Sequence, residues 1–270
     1  MLMAESSQDW AKRARNPQRI ERIEAFFSGR GFDPHRHDTY AVGRTLAGVH
    51  GFSYRKSMRH NLPGGTIVLY PDELHDGEAV TDEGFLYRII YIEPSMLQQA
   101  LGGRPLPFIP DGTSRDPRLF RATEVLMQGM DCIIEPLEED DALYELAQAL
   151  AEVAGTPRGR RSIDFCAAER AREYIHSALD RVITLDELEH ASGRERWSLS
   201  RDFRALYGTS PYRYLTMRRL DHVRALMLAG HTLTDASITA GFTDQSHMTH
   251  QFTRTYGLSP ARWLRMLRKP

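Results

Sequence analysis

The chain has 270 residues and only two cysteines, Cys132 and Cys166, with no motif around either. That scarcity excludes a disulfide framework and a cysteine-built zinc site, and it points to a reducing, cytoplasmic setting. No apolar run approaches the roughly 20 residues of a membrane-spanning helix, so no membrane partner is expected. The N-terminal stretch MLMAESSQDWAKRARNP has no apolar segment after its charges, so no signal peptide is expected. There is no Gly-rich phosphate loop, and Ser, His and Asp occur in no nucleophile motif. No enzyme activity and no resident cofactor are therefore expected. An excess of either charge is also lacking, at 35 Lys+Arg against 36 Asp+Glu. The balance hides an asymmetry: from Ile163 onward there are 16 basic and 12 acidic residues, with Lys269 the one lysine. The remainder carries 19 basic and 24 acidic residues. An Arg-rich, mildly basic C-terminal part suits phosphate neutralisation.

What is present is a repeat. GFTDQSHMTHQFTRTYGLSP, from Gly241 to Pro260, has a diverged copy in SGRERWSLSRDFRALYGTSP, from Ser192 to Pro211. One offset of 49 residues superimposes Leu199 on Met248, Phe203 on Phe252, Tyr207 on Tyr256, Gly208 on Gly257, Pro211 on Pro260 and Tyr214 on Trp263. Such a period means one supersecondary unit built twice. Each unit reads as a short helix, a Gly-containing turn, a second helix, then Gly-x-Ser-Pro. That is the helix-turn-helix pattern, whose second helix enters the DNA major groove. A long helix over about Pro211 to Leu228 joins the units and stops at Gly230.

Upstream, Gly31 to Pro94 reads as strands. Alternating runs such as TIVLY (Thr66–Tyr70) and FLYRIIYI (Phe85–Ile92) lie between turn signals at Pro63-Gly64-Gly65, Pro71-Asp72 and Asp76-Gly77. Short strands at regular spacing indicate a small β-barrel or jelly roll. Asp116 to Met130 and Glu139 to Ala154 read as helices, the second with an apolar stripe of Leu143, Leu146, Ala147, Leu150 and Val153. The stripe fits either a dimer seam or a cover for the barrel. Gly155 to Arg161 concentrates Gly, Pro and like charge, and so reads as a linker. The expected organisation is residues 1–154 as a sensor and dimerisation domain, 155–162 as linker and 163–270 as a DNA-binding domain. The fold class is α+β followed by an all-α domain.

The helical faces sort the candidate base readers. Leu199, Phe203 and Leu206 recur at inward spacing, which leaves Arg196, Trp197, Ser200, Arg201 and Arg204 toward the outer face. In the second unit Met248, Phe252 and Tyr256 are inward, and Gln245, Ser246, Thr249 and His250 face the groove. Arg can fork to guanine or bind phosphate, and Gln can pair with adenine.

Over about Asp164 to Leu267 the sequence resembles the AraC/XylS-type bacterial transcription regulators. The pattern G-F-x-D-x-S-H-x-x-x-x-F-x-x-x-x-G-x-S-P is carried by Gly241, Phe242, Asp244, Ser246, His247, Phe252, Gly257, Ser259 and Pro260. The resemblance implies two units reading successive major-groove segments, with base contacts at Trp197, Ser200 and Arg201 and at Gln245, Ser246 and His250. It implies double-stranded promoter DNA, a small-molecule effector, RNA polymerase and a homodimer as partners. Two departures stand out. His250 replaces the family's usual basic residue, and Glu189 and Ser237 replace its usual alanines. Either the helix holding Glu189 is rotated, or Glu189 finds a partner such as Arg196.

The N-terminal part is similar to the cupin fold, often the sensor in such regulators. His35 and His37 sit two apart, so on a strand both rings face one side, and His75 follows a turn. Metal-binding cupins add a carboxylate soon after the second histidine; here Tyr40, Ala41 and Val42 occupy that stretch. His35, His37, Tyr40 and His75 are therefore assigned to an organic ligand in preference to a metal, with purely structural histidines as the other reading. Tyr54, Tyr70, Tyr87 and Tyr91 supply further phenols, for a pocket or for the strand surface, and Arg44 and Arg88 read first as solvated strand residues and second as partners of an acidic ligand.

The resulting reading is an effector-responsive, DNA-binding transcription regulator. Its rivals are a metal-dependent cupin enzyme with an appended DNA-binding domain and a ligand-independent DNA-binding dimer. The fragment from about Ser162 to Pro270 is expected to fold alone and bind DNA as a monomer, because recognition helices about 34 Å apart fit successive turns of B-DNA. Titration of the fragment at several salt concentrations checks this. A folded fragment without salt-sensitive DNA binding contradicts it.

Overall fold

The run FLYRIIYI becomes β9 (Phe85–Ile92), and it is apolar at nearly every position because both of its faces are covered. Phe85, Tyr87 and Ile89 point between two sheets, where they meet Phe27, Ala41, Phe52, Tyr54, Ile67 and Leu69. Ile90 and Ile92 point the other way, with Tyr40, Val42 and Val68, into a layer of helices. The computed structural model describes residues 9–14, 19–155 and 163–267. Apart from Gly155, the expected linker lies outside the described residues.

Six strands form the larger sheet in the order β1 (Trp10–Arg13), β2 (Glu21–Phe27), β9, β4 (Tyr40–Gly48), β7 (Thr66–Leu69) and β10 (Thr113–Ser114). The smaller sheet runs β3 (Arg30–His35), β8 (His75–Ala79), β5 (His50–Tyr54) and β6 (Ser57–Asn61). All pairings are antiparallel. The cupin-like barrel is thus not closed: no ladder joins the two sheets among the described residues, and they pack face to face. The chain crosses between sheets at Gly48, after a register shift between Thr45 and Ala47. Gly48 has φ +71°, and a Cβ there would lie 2.1 Å from the Gly84 carbonyl oxygen. Only glycine makes that corner.

Helices α1 (Pro94–Leu101), α2 (Pro117–Ala122) and α3 (Pro136–Ala154) cover the outer face of the larger sheet. α2 is shorter than the expected Asp116–Met130 helix. The buried Arg22 guanidinium donates to the carbonyls of Leu126, Gln128, Gly129 and Cys132 at 2.7–3.1 Å. Those carbonyls find their partner in a side chain, which supports an irregular loop. α3 starts with Pro136 at its first turn, where a missing N–H costs nothing. Its stripe residues Leu143, Leu146, Ala147 and Leu150 are buried within the chain. The stripe covers the sheet and forms no dimer seam; the solvent side of α3 carries Leu137 and Tyr144 instead.

The C-terminal half is all helical: α4 (Phe165–Ser177), α5 (Leu185–Ser192), α6 (Arg196–Tyr207), α7 (Pro211–Leu228), α8 (Leu233–Thr239), α9 (Gln245–Tyr256) and α10 (Pro260–Leu267). The repeat holds in three dimensions. Phe203 and Tyr207 pack with ring centroids 4.6 Å apart at 60°, and Phe252 and Tyr256 at 4.6 Å and 61°. Tyr214 and Trp263 then close each unit edge-on to its phenylalanine, at 5.5 and 5.9 Å. Gly208 and Gly257 are both left-handed caps of the second helix, and Pro211 and Pro260 both open the helix that follows. Among the described residues no helix is long and apolar enough to cross a membrane.

Leu146→Ala is expected to lower stability by about 2–5 kcal/mol through the cavity left under α3. Urea unfolding of the full chain measures this, and an unchanged midpoint would remove Leu146 from the core.

Candidate functional site

The first recognition helix, α6, begins at Glu195, whose carboxylate accepts from the Trp197 and Ser198 amides at 3.0 Å. That cap orients a helix whose inner side, Leu199, Phe203 and Leu206, is buried. Trp197 is 68% exposed, and Arg201 and Arg204 are exposed beside it. Arg201 donates to the Ser198 hydroxyl at 2.8 Å, and Arg204 donates to the Ser200 carbonyl at 3.1 Å and to its hydroxyl. These bonds are local and exposed, so they compete weakly with a phosphate or base. Arg196 differs. Its amide donates to Glu189 at 2.8 Å, and its guanidinium binds both Glu189 and Asp186. The sequence reading placed Arg196 on the outer face; here it is the partner that Glu189 requires, so it holds α5 against α6.

The second recognition helix, α9, is capped by Asp244, which accepts from the His247 amide at 2.7 Å. Gln245, Ser246 and His250 are exposed and Thr249 is half-buried. The Gln245 side-chain oxygen accepts from the Thr234 hydroxyl at 2.7 Å, which fixes the amide at the start of the helix. Ser237, the other departure from alanine, is buried, and its hydroxyl donates to the Thr234 carbonyl at 2.7 Å. A buried serine is therefore satisfied locally.

In the N-terminal half the structure brings His35, His37 and His75 together. His35 and His75 are direct cross-strand partners of β3 and β8, which explains a ring separation of 4.3 Å. His37 lies past the end of β3, yet its ring is 4.8 Å from His75 and 6.0 Å from His35. All three are buried. Burial pushes His35 down to about 4, His37 to about 3 and His75 well below the ordinary imidazole range, so all are neutral near pH 7. Tyr40 does not join them. It faces the helical layer, where its hydroxyl donates to the Pro107 carbonyl at 2.6 Å. Strand parity is the reason: Ala41 points between the sheets, and Tyr40 and Val42 point away. The phenol beside the cluster is Tyr91, edge-on to His37 at 5.2 Å. Arg44 lies over the Phe120 ring at 3.6 Å, and Arg88 pairs with Glu24, so neither cation faces the histidines.

A cavity of about 380 Å³ opens beside the cluster, between the two halves of the chain. His35, His37 and Tyr91 line it, with apolar walls that include Ile23, Met217 and Trp263. Its polar edge is a set of ion pairs that sequence reasoning missed. Arg218 of α7 is 7% exposed and binds Asp38 at 3.0 Å, Asp221 at 3.1 Å and Glu93. Burial raises Asp38 to about 7 against the opposing pull of Arg218. Arg224 pairs with Glu21, whose carboxyl is lowered by Arg224 and Arg13 against the burial that raises it. A single sequence offers no signal for the pairs with Asp38, Glu93 and Glu21, because nothing in it brings α7 against those distant segments. Further bonds cross the same boundary. Arg213 binds Asp72, the Leu106 amide donates to the Ala205 carbonyl at 3.1 Å, and the Arg36 amide donates to the Arg254 carbonyl at 3.3 Å.

A β-rich ligand-binding half joined to paired helix-turn-helix units defines a DNA-binding transcription regulator. Residues 17–147 match the family model described as an AraC-like ligand binding domain, and residues 188–266 match a helix-turn-helix domain. The chain belongs to the AraC family of transcription regulators. It is similar to an uncharacterized HTH-type transcriptional regulator, YbfI, of Bacillus subtilis, with 26% identity over 84% of this chain and 86% of that one. Its fold is similar to that of ToxT from Vibrio cholerae, with TM-score 0.68 and 14% identity over 93% of this chain and 100% of that one. A second structure of ToxT, with bound unsaturated fatty acid, matches with TM-score 0.66 and 12% identity over 96% and 94%.

Arg218→Ala leaves Asp38 buried without its cation and is expected to cost about 3–5 kcal/mol. Denaturant unfolding is the measurement. A loss of only about 0–1 kcal/mol, as for an exposed pair, would mean that the halves are held together elsewhere.

Proposed function

We propose that the cavity between the halves is the effector site, and that an amphipathic small molecule there sets how α6 and α9 meet promoter DNA. The observation that carries this is the origin of the walls: β2, β9 and the histidine segment on one side, α7, α9 and α10 on the other. A ligand touching both sides has different affinity for docked and undocked states, which is what shifts a population. The fatty acid in the ToxT structure supports the amphipathic class. In this reading residues 1–154 sense, 155–162 link and 163–270 bind DNA. Trp197, Ser200, Arg201 and Arg204 on α6, and Gln245, Ser246, Thr249 and His250 on α9, contact the duplex. Arg196 positions α6 through Glu189. The regulator acts in the cytoplasm as a homodimer, through the outer side of α3, and addresses RNA polymerase; it is not an enzyme.

A long-chain unsaturated fatty acid is the probe. It is expected to raise the melting temperature of the full chain and to change its affinity for a selected DNA site. An unchanged melting temperature and unchanged DNA affinity would favour the ligand-independent dimer. Arg201→Ala is expected to weaken specific binding by about 1–3 kcal/mol and to relax preference at one base position. Equal losses on all sequences would make Arg201 a phosphate contact.

A further inference from the structure

The histidine cluster has a property that an organic ligand alone leaves unused. The Nδ1 atoms of His35, His37 and His75 lie 2.8, 3.0 and 2.9 Å from the backbone carbonyls of Asp33, Thr39 and Glu73. A carbonyl only accepts, so each Nδ1 carries the proton and each Nε2 is left with a lone pair. His37 Nε2 is buried and has no hydrogen-bond partner among the described residues. One ring nitrogen from each residue lies within 4.8 Å of the others. Binding an ion would draw one nitrogen of each ring inward, to bonds of about 2.0–2.1 Å from one centre. Imidazoles whose second nitrogen donates to a carbonyl are already oriented as metal ligands. A cation where the three rings meet would give the orphaned His37 Nε2 a partner and draw on the other two imidazoles as well.

We propose that His35, His37 and His75 hold one divalent transition-metal ion, and that the end of α9 reads its occupancy. Three neutral imidazoles without a carboxylate suit zinc, cobalt or nickel and reject magnesium and calcium. His35 and His37 line the cavity, so the remaining coordination positions face the space assigned to the effector. The missing carboxylate, which argued against a metal in the sequence, leaves those positions open.

The link to α9 is direct contact. Gly257 caps α9, and a Cβ there would lie 2.8 Å from His35 Nδ1 and 2.7 Å from the Asp33 carbonyl oxygen. The Asp33 amide donates to the Gly257 carbonyl at 3.4 Å, and the Arg36 amide to the Arg254 carbonyl at 3.3 Å. The segment that supplies two of the three ligands is therefore the segment on which α9 ends. A metal that fixes this segment also fixes the seat of the second recognition helix. Only the last step, from the seat of α9 to DNA, rests on the function proposed above.

The test uses the full chain, stripped with chelator and titrated with Co2+ and then Zn2+. The expected result is one equivalent of Co2+ with a visible ligand-field band, displaced by Zn2+. His37→Gln and His75→Gln should each weaken binding at least tenfold, while His250→Ala, on the exposed face of α9, should not. Circular dichroism of the metal-free variants confirms that they fold. No band, or a band that survives both cluster variants, overturns the site. Hydrogen exchange supplies the second readout without DNA: Zn2+ should slow the amides of Asp33 and Arg36 in the parent chain. Metal binding that leaves those amides unchanged overturns the coupling to α9. A metal-bound chain with slowed amides and no DNA binding would count against the proposed function and leave this inference standing.

Discussion

Arg218 is the group on which the relation between the two halves depends. A guanidinium taken almost wholly out of water is tolerated only when its charge is compensated, and Asp38, Glu93 and Asp221 compensate it from three directions. Two of those carboxylates belong to the N-terminal half and one to α7 itself. The arrangement is selective. A shifted docking would leave Asp38 buried without a partner, so the pair defines one register between sensor and reader even where its net stabilisation is small. The cavity exists because this edge and the Arg224–Glu21 pair hold the walls at a set distance while Met217 and Trp263 close the apolar side.

The repeat was legible because it is made of packing. The residues that superimpose at the 49-residue offset are mostly core residues, and two nearly identical tilted aromatic pairs sit in the two copies. Sequence patterns record burial well when the periodicity belongs to one helix. The strand-rich half was legible for the same reason, though β9 alternates between two apolar environments and so hides which of its sides faces the second sheet. Closure into a barrel was not legible, since it depends on where the chain changes sheets, and Gly48 marks that corner only once its positive φ is known.

The candidate site was read less completely. The convergence of His35, His37 and His75 followed from spacing and a turn, and the cross-strand pairing of His35 with His75 is its physical basis. Tyr40 was misplaced because one residue of parity sends a strand side chain to the opposite layer. For Arg196, helical spacing gave the outer face, and the unmatched Glu189 pointed to the pairing that the structure shows. The stripe on α3 was ambiguous for a related reason: an apolar face must be covered, and the sequence does not say by which surface. The ion pairs from α7 to the N-terminal half were invisible, as Asp38, Glu93 and Glu21 lie more than a hundred residues away along the chain.

Both recognition helices are grasped at their C-terminal ends by the same body. α6 is held where the Leu106 amide and the Gln98 side chain reach the Ala205 and Leu206 carbonyls, and α9 is held where Arg36 and Asp33 reach Arg254 and Gly257. The N-terminal half thereby works as a caliper whose jaws are the two helices. The gap between the jaws is a dimension of the β-sandwich and its loops as much as of α7. In the proposed reading, operator spacing would then depend on residues away from the bases, such as Pro71 and Leu106, which lie against Gly208 at the end of α6.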